Sequence, residues 1–202
     1  MTIDFGKTKL KIGFSFFLVA ALMLLLSDKK ITLMCFFSSM AHEFGHLFPM
    51  FLFSQKVSVI SFGAFGVRID RDGEALQSYK EQVVIALGGV AVNFLICTFS
   101  LTYCALKKSI NAEVLFFVNL FMASLNLMPA KNLDAWNALY CILMMKKSEE
   151  KTLKILFRVS FCAVLAFAVF CVVYFIAFGF NASLAAVLIY LIFLEFIRNG
   201  EV

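Results

Sequence analysis

Long apolar runs alternate with short charged gaps along the whole chain. Six runs stand out, at about 12–27, 31–53, 82–106, 111–129, 152–178 and 182–198. A helix needs roughly 20 apolar residues to cross a hydrocarbon core of about 30 Å, and the first and last runs sit near the short limit. The opening run follows Lys7, Lys9 and Lys11 in the manner of a secretory signal. It lacks a small-x-small exit and leads through Asp28-Lys29-Lys30 into another run, so a retained first helix is expected. Two stretches break the pattern. Residues 57–81 are rich in glycine and β-branched side chains with partial alternation, which predicts one or two short strands and a turn at Arg71-Asp72-Gly73. The other, Pro129 to Lys151, is too short for a separate soluble domain.

Charge orients these runs. With six spans and the N-terminus inside, the cytoplasmic segments carry Lys7, Lys9, Lys11, Lys56, Arg68, Arg71, Lys80, Lys131, Lys146, Lys147, Lys151, Lys154, Arg158 and Arg198. The outer segments carry only Lys29, Lys30, Lys107 and Lys108. This imbalance follows the positive-inside rule and puts both termini in the cytoplasm, with the second and fourth runs directed inward.

Composition agrees. Of 202 residues, 62% are hydrophobic and 15% charged, with a mean hydropathy of +0.93. A soluble domain of this size has no interior able to hide that much apolar surface. Disordered chains, coiled coils and nucleic-acid-binding modules are thereby excluded, and the net charge of +5 reflects membrane topology rather than a nucleic-acid footprint. The six Cys lie in apolar stretches without a C-x-x-C pair and read as small apolar side chains. The expected fold is an α-helical multi-pass membrane protein with about six transmembrane helices. A small cytoplasmic-side β-hairpin or sheet is expected between the second and third. Residues 1–202 form one domain, with a core at 31–145 flanked by helices at 12–27 and 152–198.

The candidate chemistry lies inside the second run. His42-Glu43-Phe44-Gly45-His46 is an H-E-x-x-H motif. Positions four apart share a helix face, so both imidazoles can reach one metal ion while Glu43 lies beside the bound water. Three ionisable groups in a membrane helix are costly and mark function. A third ligand must come from elsewhere, because no further His exists. Cys35 shares a face with His42 but lies two turns away, about 10 Å, too far for the same ion. Asp134, at the cytoplasmic end of the fourth run and just after the helix-breaking Pro129, is the best candidate. Its alternative is to cap a following helix over 135–145.

These residues resemble the site-2 proteases, the intramembrane zinc metalloproteases, whose signature pairs H-E-x-x-H with N-x-x-P-x-x-x-x-D-G on another helix. Asn126, Pro129 and Asp134 match that spacing, and Gly88-Gly89-Val90-Ala91-Val92-Asn93 looks like the family's G-x-x-x-N element. The resemblance covers most of 31–145, and the six-span layout with inside termini is similar to that of the sporulation-type branch. Two positions depart: Ala135 replaces the usual Gly after the Asp, and Gly89 stands where Pro is common.

The resemblance implies one Zn2+ per chain held by His42, His46 and Asp134, with Glu43 as general base. It also implies that Asn126 and Asn93 orient substrate or the oxyanion; their alternative is helix–helix hydrogen bonding. The partners implied are the lipid bilayer and a membrane protein whose transmembrane segment is cut, such as a tethered regulatory protein in regulated intramembrane proteolysis, with a possible sporulation link. Such a segment must unwind locally, and residues 61–69 offer either a strand edge to receive it or an ordinary amphipathic connector. A catalytically inactive relative that binds membrane segments as a scaffold is the alternative function. A transporter would need more polar residues along several spans.

Overall fold

A computed structural model describes residues 2–5, 8–12, 28–54, 57–63, 66–71 and 78–199. Helix α1 (Lys29–Leu52) begins where Asp28 turns its carboxylate back onto the chain, accepting from the N–H groups of Lys30 (2.9 Å) and Ile31 (3.1 Å). Those are donors that a helix start otherwise leaves open. Helix α2 (Tyr79–Lys107) is capped by Ser78, whose hydroxyl accepts from the Lys80 N–H, and it closes at Lys108 in the left-handed region (φ 49°). Helix α3 (Ile110–Asn126) follows at once. After a short linker come α4 (Asp134–Met144), α5 (Glu149–Phe178) and α6 (Ala182–Asn199).

Helix α2 is the hub, packing against α1, α3 and α4. Its contact with α1 is closest at two glycines. A Cβ on Gly45 would stand 2.5 Å from the Gly88 carbonyl oxygen, and one on Gly88 would fall onto the Gly45 carbonyl. Small residues let membrane helices approach this closely. Pro49, inside α1, has no N–H for the Gly45 carbonyl one turn back, and its ring stands against Gly88. Beside the segment that leads to Asp134, Ala130, Val164 and Leu191 form a small apolar core, flanked by Met128, Leu133, Phe167 and Val187. It seats the linker before α4 against α5 and α6.

Among the described residues, four strands form one sheet in the order β1 (Thr2–Phe5), β2 (Thr8–Ile12), β3 (Val57–Gly63) and β4 (Gly66–Arg71). The outer pairs are antiparallel. The central pair, β2 and β3, is parallel, with Lys9 opposite Val59 and Ile12 opposite Phe62. The two N-terminal strands are not expected from the sequence, where Lys7, Lys9 and Lys11 count as topology charges and as the basic flank of a signal-like run. Their signal is the polar–apolar alternation of residues 8–12.

The outward helix faces are apolar: Phe51 is 84% exposed, Ile176 81% and Phe99 74%. In water a surface of this kind drives aggregation, whereas in lipid it is ordinary. The protein is a membrane protein. Among the described residues α2 and α5 are long and apolar enough to cross a bilayer, and α3 and α6 are apolar but shorter. Helix α1 has sufficient length but carries His42, Glu43 and His46 within its apolar run. The number of spans shown is thus two rather than the six expected, and the first expected span, apart from Ile12, lies outside the described residues.

Candidate metal centre

His42 and His46 stand one turn apart on the face of α1 that meets α2, with their rings edge to face and centroids 4.9 Å apart. Their Nε2 atoms are 3.3 Å apart. Asp134 closes the group, its Oδ2 3.2 Å from His42 Nε2 and its Oδ1 3.4 Å from His46 Nε2. Ligand atoms about 2.0–2.1 Å from a tetrahedral zinc ion lie about 3.3–3.4 Å from one another, so the three side chains already have the required spacing.

The linker explains how Asp134 arrives there. Helix α3 stops at Asn126, three residues before Pro129, which cannot donate a helical hydrogen bond. The chain then reverses through bonds from the Ala130 N–H to the Met128 carbonyl (2.8 Å) and from the Leu133 N–H to the Ala130 carbonyl (3.1 Å). Asn132 takes the left-handed position (φ 69°), which asparagine tolerates. Asp134 is the first helical residue of α4. The cap position belongs to Leu133, which provides no side-chain bond, so the carboxylate is directed to the histidines. Ala135 is the second helical residue and has no positive φ, so the conformational freedom of glycine is not needed there.

The outer nitrogens decide which atoms face inward. His46 Nδ1 lies 2.8 Å from the Ile85 carbonyl oxygen, which can only accept, so this nitrogen carries the hydrogen. His42 Nδ1 lies 2.5 Å from Asn93 Oδ1 and donates to it. Both Nε2 lone pairs therefore point at each other and at Asp134, whose Oδ2 is buried without a hydrogen-bond donor. Lone pairs converging at these distances repel unless a cation stands among them. Two neutral imidazoles and one carboxylate are a donor set that zinc accepts.

Gly89 makes room for this centre. A Cβ there would lie 2.5 Å from His46 Nε2 and 2.7 Å from His42 Nε2. Gly89→Ala is expected to reduce bound zinc to background while the protein still accumulates in membranes; metal analysis of the purified variant checks this, and full zinc retention would refute it.

A cavity of about 450 Å³ opens on His42, His46 and Asp134, and Glu43, Gln82, Asn126, Asn132, Asn137 and Tyr140 contribute to its walls. Asn126 lines it while donating to the Met122 carbonyl of its own helix (3.1 Å). Asn93 does not reach it: the side chain is fully buried behind His42. Gln82, Asn137 and Tyr140 escaped the sequence reading, because residues on two separate helices carry no common spacing.

A helical bundle with this centre has a site-2 protease-like fold. The site-2 protease from Methanocaldococcus jannaschii superimposes on it with a TM-score of 0.66, over 97% of this chain and 92% of that one, at 20% sequence identity. At that identity the likeness is one of fold. No family model matches the sequence, and no curated protein matches it.

Proposed function

We propose that the chain is an intramembrane zinc metalloendopeptidase cutting transmembrane segments of membrane-tethered regulatory proteins. The observation that carries this reading is the convergence of His42, His46 and Asp134 beside Glu43 in one cavity. A zinc ion held by those three side chains would supply Lewis acidity towards the attacking water and the scissile carbonyl. Glu43, adjacent to His42 in the chain and in the cavity wall, takes the proton from that water and returns it to the leaving amine. Its presence there favours catalysis over scaffolding.

A substrate helix has its carbonyls already bonded and has to unwind. Asn126, Gln82 and Asn137 offer amides to the peptide groups so released. Asn93, engaged by His42, supports the centre and leaves substrate contact to Asn126. Strand β3 is paired on both sides, so β4 is the edge of this pair to which an unwound segment would add. The excess of cytoplasmic Lys and Arg supports a multi-pass protein with both termini inside. A sporulation setting rests on the layout of spans alone.

The protein purified in detergent is expected to hold about one zinc per chain. Chelation should stop cleavage of a co-reconstituted single-span reporter, and added zinc should restore it. Undiminished cleavage by the metal-free protein would overturn the reading.

A further inference from the structure

Behind the metal centre runs a line of buried amides that leads away from the cavity. Asn93 on α2 and Asn119 on α3 are both fully buried. We infer that Asn119 is a positioning residue that fixes the tautomer of His42 through Asn93. The inference rests on the zinc reading above for its purpose, though not for its geometry.

The direction of the relay follows from one backbone group. Asn119 Nδ2 lies 2.9 Å from the Leu115 carbonyl oxygen, which has no hydrogen to give, so the NH2 end of the amide must face it. The same nitrogen donates to Ser38 Oγ at 2.9 Å. Asn119 Oδ1 therefore points the other way and accepts from Asn93 Nδ2, again at 2.9 Å. This holds the Asn93 amide with its oxygen towards His42. An amide oxygen can only accept, so His42 must place its hydrogen on Nδ1. The Nε2 lone pair is left for the ligand set, beside Asp134.

Without Asn119, Asn93 is free to turn its NH2 towards the ring. His42 Nδ1 would then accept, and the hydrogen would move to Nε2, where it blocks the metal position. The relay also closes on itself, because Ser38 lies on α1 one turn before His42. Helices α1, α2 and α3 are thus joined by one continuous set of buried hydrogen bonds. Ordinary helix–helix bonding would predict a loss of stability on removing Asn119 and no change in the ring.

The two cases separate by spectroscopy, since the chain has only two imidazoles. In metal-free protein labelled with 15N-histidine, with His46→Gln used for assignment, His42 is expected to show a protonated Nδ1 and a bare Nε2. Asn119→Leu should convert His42 wholly or partly to the other tautomer and weaken zinc binding, read by competition with a chromophoric chelator, by about 10–100-fold. Asn119→Asp keeps an oxygen for Asn93 Nδ2. It should preserve tautomer and zinc affinity while melting earlier, because the Leu115 carbonyl loses its side-chain donor and a carboxyl oxygen takes that place. A bare Nδ1 on His42 in the parent protein, or an unchanged ring and affinity in Asn119→Leu, would overturn the inference. If Asn119→Leu does not fold, the parent and Asn119→Asp spectra decide. A parent protein with the expected tautomer that binds no zinc would refute the metalloprotease reading and leave the relay standing.

Discussion

Glu43→Gln is expected to lower cleavage of a single-span reporter by about 10²–10⁴-fold while zinc stays at one per chain. Glu43 follows His42 directly, so on α1 it leaves the ligand face by about 100° and enters the cavity wall without joining the ligand atoms. Glutamine keeps the shape and the hydrogen-bonding length of the side chain but cannot hold the proton that the attacking water gives up. Parallel measurements on one preparation, product by gel and metal by elemental analysis, separate the two effects. Normal cleavage with full zinc would remove Glu43 from the chemistry. Loss of both would show that the substitution damages the centre itself.

Asp134→Asn should weaken zinc binding by more than about 100-fold, because a neutral amide oxygen replaces the carboxylate of the His42–His46–Asp134 group. The effect on stability has a less obvious sign. Asp134 Oδ2 is buried without a hydrogen-bond donor and faces His42 Nε2, which presents a lone pair when its hydrogen sits on Nδ1. An Asn amide can place N–H there instead. Metal-free Asp134→Asn is therefore expected to melt above the metal-free parent, whereas with zinc present the order reverses. Thermal melts of both proteins with and without chelator check this, and an unchanged order of melting would show that the carboxylate carries no such burden.

The sequence makes helix existence clear and helix limits less so. Runs expected at 31–53, 82–106 and 152–178 correspond to helices that start two or three residues earlier, at Lys29, Tyr79 and Glu149. Hydropathy ends where charges begin, but a capped and dipole-favoured first turn tolerates them, as Asp28 shows at α1 and Glu149-Glu150 at α5. Helix α3 stops before its apolar run does, because Pro129 disfavours helix in the residues ahead of it.

At the site, the i,i+4 histidines follow from helical period, and the spacing of Asn126, Pro129 and Asp134 points to the carboxylate that meets them. The roles of Gly89 and Asn119 do not follow from any spacing. A glycine in an apolar helix looks like a packing contact, and an asparagine there looks like interhelical glue. Only the crossing of α1, α2 and α3 shows one beneath the Nε2 atoms of His42 and His46 and the other at the far end of a chain of hydrogen bonds.

The outer hydrogen bonds of both imidazoles are made by α2, one from a side chain and one from a backbone carbonyl, and neither requires an ion. The rings are thus aimed by the polypeptide itself. If the chain is the zinc protease proposed, protein already inserted in the membranes of zinc-starved cells should regain cleavage on resupply without new synthesis.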